Sequence, residues 1–96
     1  MPQYEIVAVR DAVRVLKELA RLGDGVALWE LAAEVKMTKT KVFRILATLE
    51  AEGLAQREDE YWGLGDEALR LWESYRKRND HKGTEDTKKN KKEVEE

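Results

Sequence analysis

At 96 residues, with 18 basic and 20 acidic side chains and a net charge of −2, the chain has the size of one small domain and no overall charge that favours nucleic acid. It lacks cysteine, which excludes disulfides and thiolate zinc sites, and His81 lies in a polar stretch with no second ligand near it, so no metal or cofactor is expected. No apolar run approaches the ~20 residues needed to span a bilayer, and Glu5, Arg10 and Asp11 interrupt the start too early for a secretion signal, so a soluble, cytoplasmic protein is expected.

The first predicted helix runs from about Ile6 to Leu22 and stops before Gly23-Asp24-Gly25, a turn signal. Val9, Ala12, Val13, Leu16 and Ala20 share one face at helical spacing, which assigns that face to the core. Ala8, Val15, Leu19 and Leu22 widen the apolar arc beyond what one buried face needs. We therefore expect these four to form a homodimer contact; the alternative is a small domain that leaves some apolar residues exposed.

Val26-Ala27-Leu28 reads as a brief strand, and Leu28, Leu31, Ala32 and Val35 fall on one face of a helix over about Trp29 to Lys36. After a break at Met37, Thr38 is a competent N-cap for a third helix, from about Thr38 to Glu52, with Val42, Ile45, Leu46 and Leu49 as its buried stripe and Gly53 as its stop. The period then changes. Leu54 to Arg57 and Tyr61 to Leu64 read as a β-hairpin around the acidic tip Glu58-Asp59-Glu60. Asp66 opens a last helix in which Ala68, Leu71, Trp72 and Tyr75 are expected to face inward.

The sum is a mainly α fold with a small β-hairpin: helix, short strand, helix, recognition helix, two-stranded wing and C-terminal helix, the winged helix-turn-helix order. Residues 1–76 form the domain, and 77–96, almost without apolar side chains, are expected to be a disordered tail. Its clusters Lys88-Lys89 and Lys91-Lys92 sit among acids, which fits a solubilising tail better than one that tracks phosphates.

Charge is uneven. Lys36, Lys39, Lys41 and Arg44 occur with no acid between them, on and just before the third helix. Opposite its buried stripe lie Thr40, Phe43, Arg44, Ala47 and Thr48. A helix fits the B-DNA major groove, where Arg44 is able to pair with guanine and Thr40 to meet a base edge, while Lys39, Lys41 and the helix N-terminus meet phosphate. Phe43 either contacts a thymine methyl or sugar edge or is partly buried at the edge of the core. The expected DNA-binding set is Lys36, Thr38, Lys39, Thr40, Lys41, Phe43, Arg44 and Thr48, with Arg57 and Tyr61 at the base of the wing.

The segments AVRVLKELARLGDGVALWELAAEV, KTKVFRILATLEAEGLAQR and YWGLGDEALRLW resemble the N-terminal DNA-binding domain of IclR-family bacterial transcription regulators. The family's recognition-helix pattern is met by Lys39, Thr40, Val42, Phe43, Arg44 and Leu46, and its Ala-Thr-Leu and Glu-Gly-Leu by residues 47–49 and 52–54. The chain departs from the pattern at Trp29, where a Ser or Thr cap is usual, at Lys36, where Gly is common, and at Thr38, which replaces a Pro. The resemblance implies double-stranded DNA as the partner. It also implies a large effector-binding domain of which this chain holds no counterpart, so we expect no small-molecule sensing in the family's manner. Starting at Met1, the chain is expected to be a complete short protein rather than a fragment. With no nucleophile–base set or phosphate-binding glycine loop, an enzyme is not expected. Two alternatives remain: a winged-helix protein-interaction module, favoured by Trp29, Trp62 and Trp72, and a DNA-binding accessory factor in replication or recombination.

Overall fold

Uninterrupted helical spacing and well-placed stop signals divide the chain into short elements. In the structure, a computed structural model that describes residues 4–82, these are α1 (Val7–Leu22), β1 (Val26–Ala27), α2 (Leu28–Val35), α3 (Lys39–Ala51), β2 (Ala55–Glu58), β3 (Tyr61–Leu64) and α4 (Asp66–Lys82). Thr38 caps α3, its hydroxyl oxygen accepting from the Lys41 N–H at 3.1 Å. Gly53, at φ 81, ends α3, and the Leu54 N–H returns to the Leu49 carbonyl at 2.8 Å. At Gly65 a Cβ would collide with the Gly53 carbonyl, so a side-chain-free residue is what lets the start of α4 dock there.

The strands form one antiparallel sheet in the order β1-β3-β2, with Val26 opposite Trp62 and Arg57 opposite Trp62 on the other side. The short strand and the wing are thus one sheet. Leu31, Ala32 and Val35 of α2, Val42, Leu46 and Leu49 of α3, Val15 and Leu19 of α1, and Val26, Ala55 and Trp62 of the sheet make a single core.

Helix α1 corrects the expected face. The buried line is Asp11, Val15 and Leu19, while Val9, Val13 and Ala20 are exposed. Val15 and Leu19 are 0% exposed and have no surface to offer a second subunit, so of the four expected dimer residues only Ala8 and Leu22 reach solvent. The cause is Asp11. Its polarity counts against its face in any apolar tally, yet at 2% exposure it is buried because Lys41 of α3 brings an ammonium to 2.6 Å from Oδ2.

Helix α4 differs as well. Leu71, Trp72 and Tyr75 are 61%, 53% and 61% exposed rather than facing inward. Apolar spacing marks a face but not its partner, and the core is already closed by α1 to α3 and the sheet. The boundary expected at 76 falls inside α4, which reaches Lys82 with no Gly or Pro to stop it and Asp66 and Glu67 favouring its N-terminal end. The tail expectation from 83 onward, including both lysine clusters, lies outside the described residues.

Candidate nucleic-acid interface

Helices α2 and α3 are joined by the three-residue turn Lys36-Met37-Thr38. Lys36 adopts φ 59, ψ 48, and its N–H returns to the Ala32 carbonyl. A left-handed residue with a Cβ costs about 1–2 kcal/mol, part of which glycine recovers. Lys36→Gly is therefore expected to raise stability by about 0.5–1 kcal/mol, read as a rise in thermal midpoint, while weakening DNA binding through the lost charge. A midpoint below that of the parent would show that the lysine side chain contributes more than its backbone costs.

The surface of α3 divides into three strips. Its crest carries Thr40 and Arg44, both exposed, with Ala47 half-buried and Thr48 exposed. The Thr48 hydroxyl donates to the Arg44 carbonyl at 2.9 Å and so is engaged with its own helix. On the α1 side, Lys41 is held by Asp11, to which Arg10 and Arg14 also approach at 3.4 and 3.9 Å. Its ammonium is paired with a buried carboxylate, while half of the side chain remains exposed. On the wing side, Lys39 and Phe43 face the sheet across a cleft of about 390 Å³.

Phe43 is 41% exposed and meets Trp62 edge-on with ring centroids 6.3 Å apart, so it borders the core and still presents a face to solvent. The Arg57 guanidinium lies over both rings, 5.1 Å from the Trp62 centroid and 5.8 Å from that of Phe43. This fixes Arg57 beside the recognition helix without neutralising it. Tyr61 and Trp29 line the same cleft, both exposed. The wing tip is acidic, with Glu58, Asp59 and Glu60 all exposed and Asp59 at φ 59 in the turn.

Pairing sorts the cations. Arg10, Arg14 and Arg21 of α1 each lie within ion-pair distance of carboxylates, and Arg14 also donates to the Val35 carbonyl at 2.7 Å. Lys36, Lys39, Arg44 and Arg57 have no carboxylate within that distance among the described residues. The same holds of Lys17 on α1 and of Lys77 and Arg78 on α4, so what distinguishes α3 and its flanks is that four such cations gather there. Sequence spacing did not identify Asp11, Trp29 or Trp62 as parts of this region.

The Lys41 ammonium, with Arg10 beside it, holds the Asp11 carboxyl below its ordinary value of 3.8. A carboxylate whose pKa is depressed by folding contributes stability above the unfolded value, about pH 4, and that contribution is lost as pH falls through the folded one. Asp11→Asn should therefore be less stable than the parent at neutral pH, with the gap narrowing on acidification below about pH 4. Denaturation midpoints of both proteins across that range check this; parallel curves would show that Asp11 is not ionised in the fold.

Among the described residues no helix is long and apolar enough to cross a membrane, and no cluster of His, Asp or Glu has the makings of a metal site.

A three-helix core with a short turn before an exposed, basic third helix, followed by a hairpin that flanks it, defines a winged helix-turn-helix DNA-binding domain. The sequence profile of the IclR helix-turn-helix domain matches residues 8–59, more than half of the chain, and the chain belongs to that family. Similar solved structures include HmgR of Pseudomonas aeruginosa, at 34% identity and TM-score 0.69, covering 72% of this chain and 29% of that one. An IclR transcriptional regulator from Alicyclobacillus acidocaldarius has 29% identity and TM-score 0.70, covering 80% of this chain and 32% of its own. An IclR-family regulator from Brucella abortus, 19% identical with TM-score 0.69 over 78% of this chain and 29% of its own, shares the fold. The chain thus spans about a third of the length of these proteins. No curated protein matches the chain. Family and fold are those of transcription regulators.

Proposed function

We propose that the protein binds double-stranded DNA sequence-specifically through α3 and regulates transcription from the cytoplasm, without catalysing a reaction. The observation that carries this reading is the gathering of four cations without carboxylate partners among the described residues, Lys36, Lys39, Arg44 and Arg57, along the recognition helix and its flanks. Arg44, on the crest, reads a base edge with Thr40 beside it. Lys36, Lys39, Arg57 and the α3 N-terminus near Thr38 meet phosphates and set the register. Tyr61 and the exposed face of Phe43 add sugar or methyl contacts, Thr48 lines the end of the reading face, and Lys41 acts chiefly by tying α3 to α1.

The proposed homodimer contact moves to the outer stripe of α1, Val9 and Val13, with Ala8 and Leu22 at its margins, since Val15 and Leu19 are in the core. A protein-interaction role has its own support in the exposed Leu69, Leu71, Trp72 and Tyr75 of α4, and one molecule is able to carry both. Selection of bound duplexes from a random pool tests the reading. An enriched motif is expected, with two half-sites about one helical turn apart if two copies bind together. A pool that stays random after selection would contradict sequence-specific reading.

A further inference from the structure

The cleft between α3 and the wing has a composition that duplex reading does not require. Trp29 is 64% exposed at the start of α2, and Phe43 and Tyr61 stand with it around the cavity, with the buried Trp62 as its floor. An exposed indole among aromatic rings is unsatisfied apolar surface, and the cavity volume of about 390 Å³ suits a nucleoside. The cations in the cleft, Lys39 and Arg57, have no carboxylate partner within ion-pair distance among the described residues, and the Arg57 guanidinium is fixed over two rings. Aromatic platforms beside unpaired cations bind unpaired nucleotides, because every base has a π-face to stack and every link a phosphate to neutralise. Glu60 also lines the cleft and repels phosphate, so the strand would run along the Lys39 and Arg57 side.

We infer that this cleft is a second nucleic-acid site that accepts an unpaired base of single-stranded or bulged DNA, stacked against Trp29 with its phosphate on Lys39 and Arg57. The inference rests on the DNA-binding reading for its ligand class and shares Lys39, Arg57, Phe43 and Tyr61 with the proposed duplex contacts; Trp29, which that reading gives no duplex contact, is what sets it apart. A base within an intact duplex is unavailable to such a cleft, so the two modes separate experimentally.

The test measures binding of the full chain to three labelled probes: a short oligothymidylate, a fully paired duplex carrying the selected site, and the same duplex with one bulged thymidine. The parent is expected to bind oligothymidylate and to prefer the bulged duplex over the paired one. Trp29→Ala should weaken oligothymidylate binding by roughly 5- to 150-fold and abolish the preference for the bulge, leaving the paired duplex unchanged. Trp29→Phe should restore most of the loss, since it keeps a stacking ring. A parent that ignores oligothymidylate and does not distinguish the bulge overturns the inference, whatever the fate of the variant. So does a Trp29→Ala protein that loses all three probes equally, which would place Trp29 on the duplex instead. Oligothymidylate binding with no binding to paired duplex would sustain this site while refuting the duplex reading.

Discussion

Trp62→Ala is expected to cost about 3–5 kcal/mol, as large-to-small core replacements do, against a total stability of only about 5–15 kcal/mol. Trp62 is 2% exposed and sits on the central strand, opposite Val26 on one side and Arg57 on the other. It is also the ring against which Phe43 packs edge-on and over which Arg57 lies. One substitution therefore opens a cavity in the core and releases two residues of the proposed DNA-facing surface. Thermal or denaturant unfolding reads the first effect. Trp62→Phe separates the two, because it keeps apolar volume while shrinking the surface under Arg57; it should recover most of the stability and less of the DNA affinity. A Trp62→Ala protein as stable as the parent would show that the sheet does not depend on this ring.

Arg44→Ala is expected to cost about 1–3 kcal/mol of binding to the selected site and to relax sequence preference at one position. The side chain is exposed and has no carboxylate partner among the described residues, so its removal should leave the fold and its melting unchanged. Lys39→Ala, which removes a proposed phosphate contact, should weaken selected and random duplexes alike. Only the difference between the two variants identifies a base reader. If Arg44→Ala lowers affinity for every sequence by the same factor, Arg44 is a backbone contact and the assigned crest is wrong.

Local signals decided where the sequence was legible. Thr38 as a cap, Gly53 as a stop and the 42–46–49 stripe placed α3 within a residue of its observed ends, because capping and helical spacing act over one or two turns. Signals of longer range were not legible. Val9 and Val13 look as able to enter a core as Val15 and Leu19, and the partner closest to the buried Asp11, Lys41, lies thirty residues further on, with Arg10 and Arg14 beside it. The same holds for α4, whose apolar spacing is real but whose Leu69, Leu71 and Trp72 stay exposed. The basic character of α3 was visible, but not that Lys41 is committed to Asp11, nor that Arg57, far along the chain, is brought to Phe43 by the sheet. The pairing of β1 with β3 was missed because two residues carry no periodicity.

The central claim, that α3 and its unpaired cations form a DNA-reading surface, is tested most directly by the salt dependence of duplex binding. With Lys36, Lys39, Arg44 and Arg57 near phosphates or bases, the logarithm of affinity should fall against the logarithm of salt with a slope of roughly −3 to −4 per bound copy. Lys39→Ala should make that slope shallower by about one, and the selected site should outcompete random duplex at every salt concentration. Duplex binding that is absent at low salt, or that shows no slope, would contradict the account.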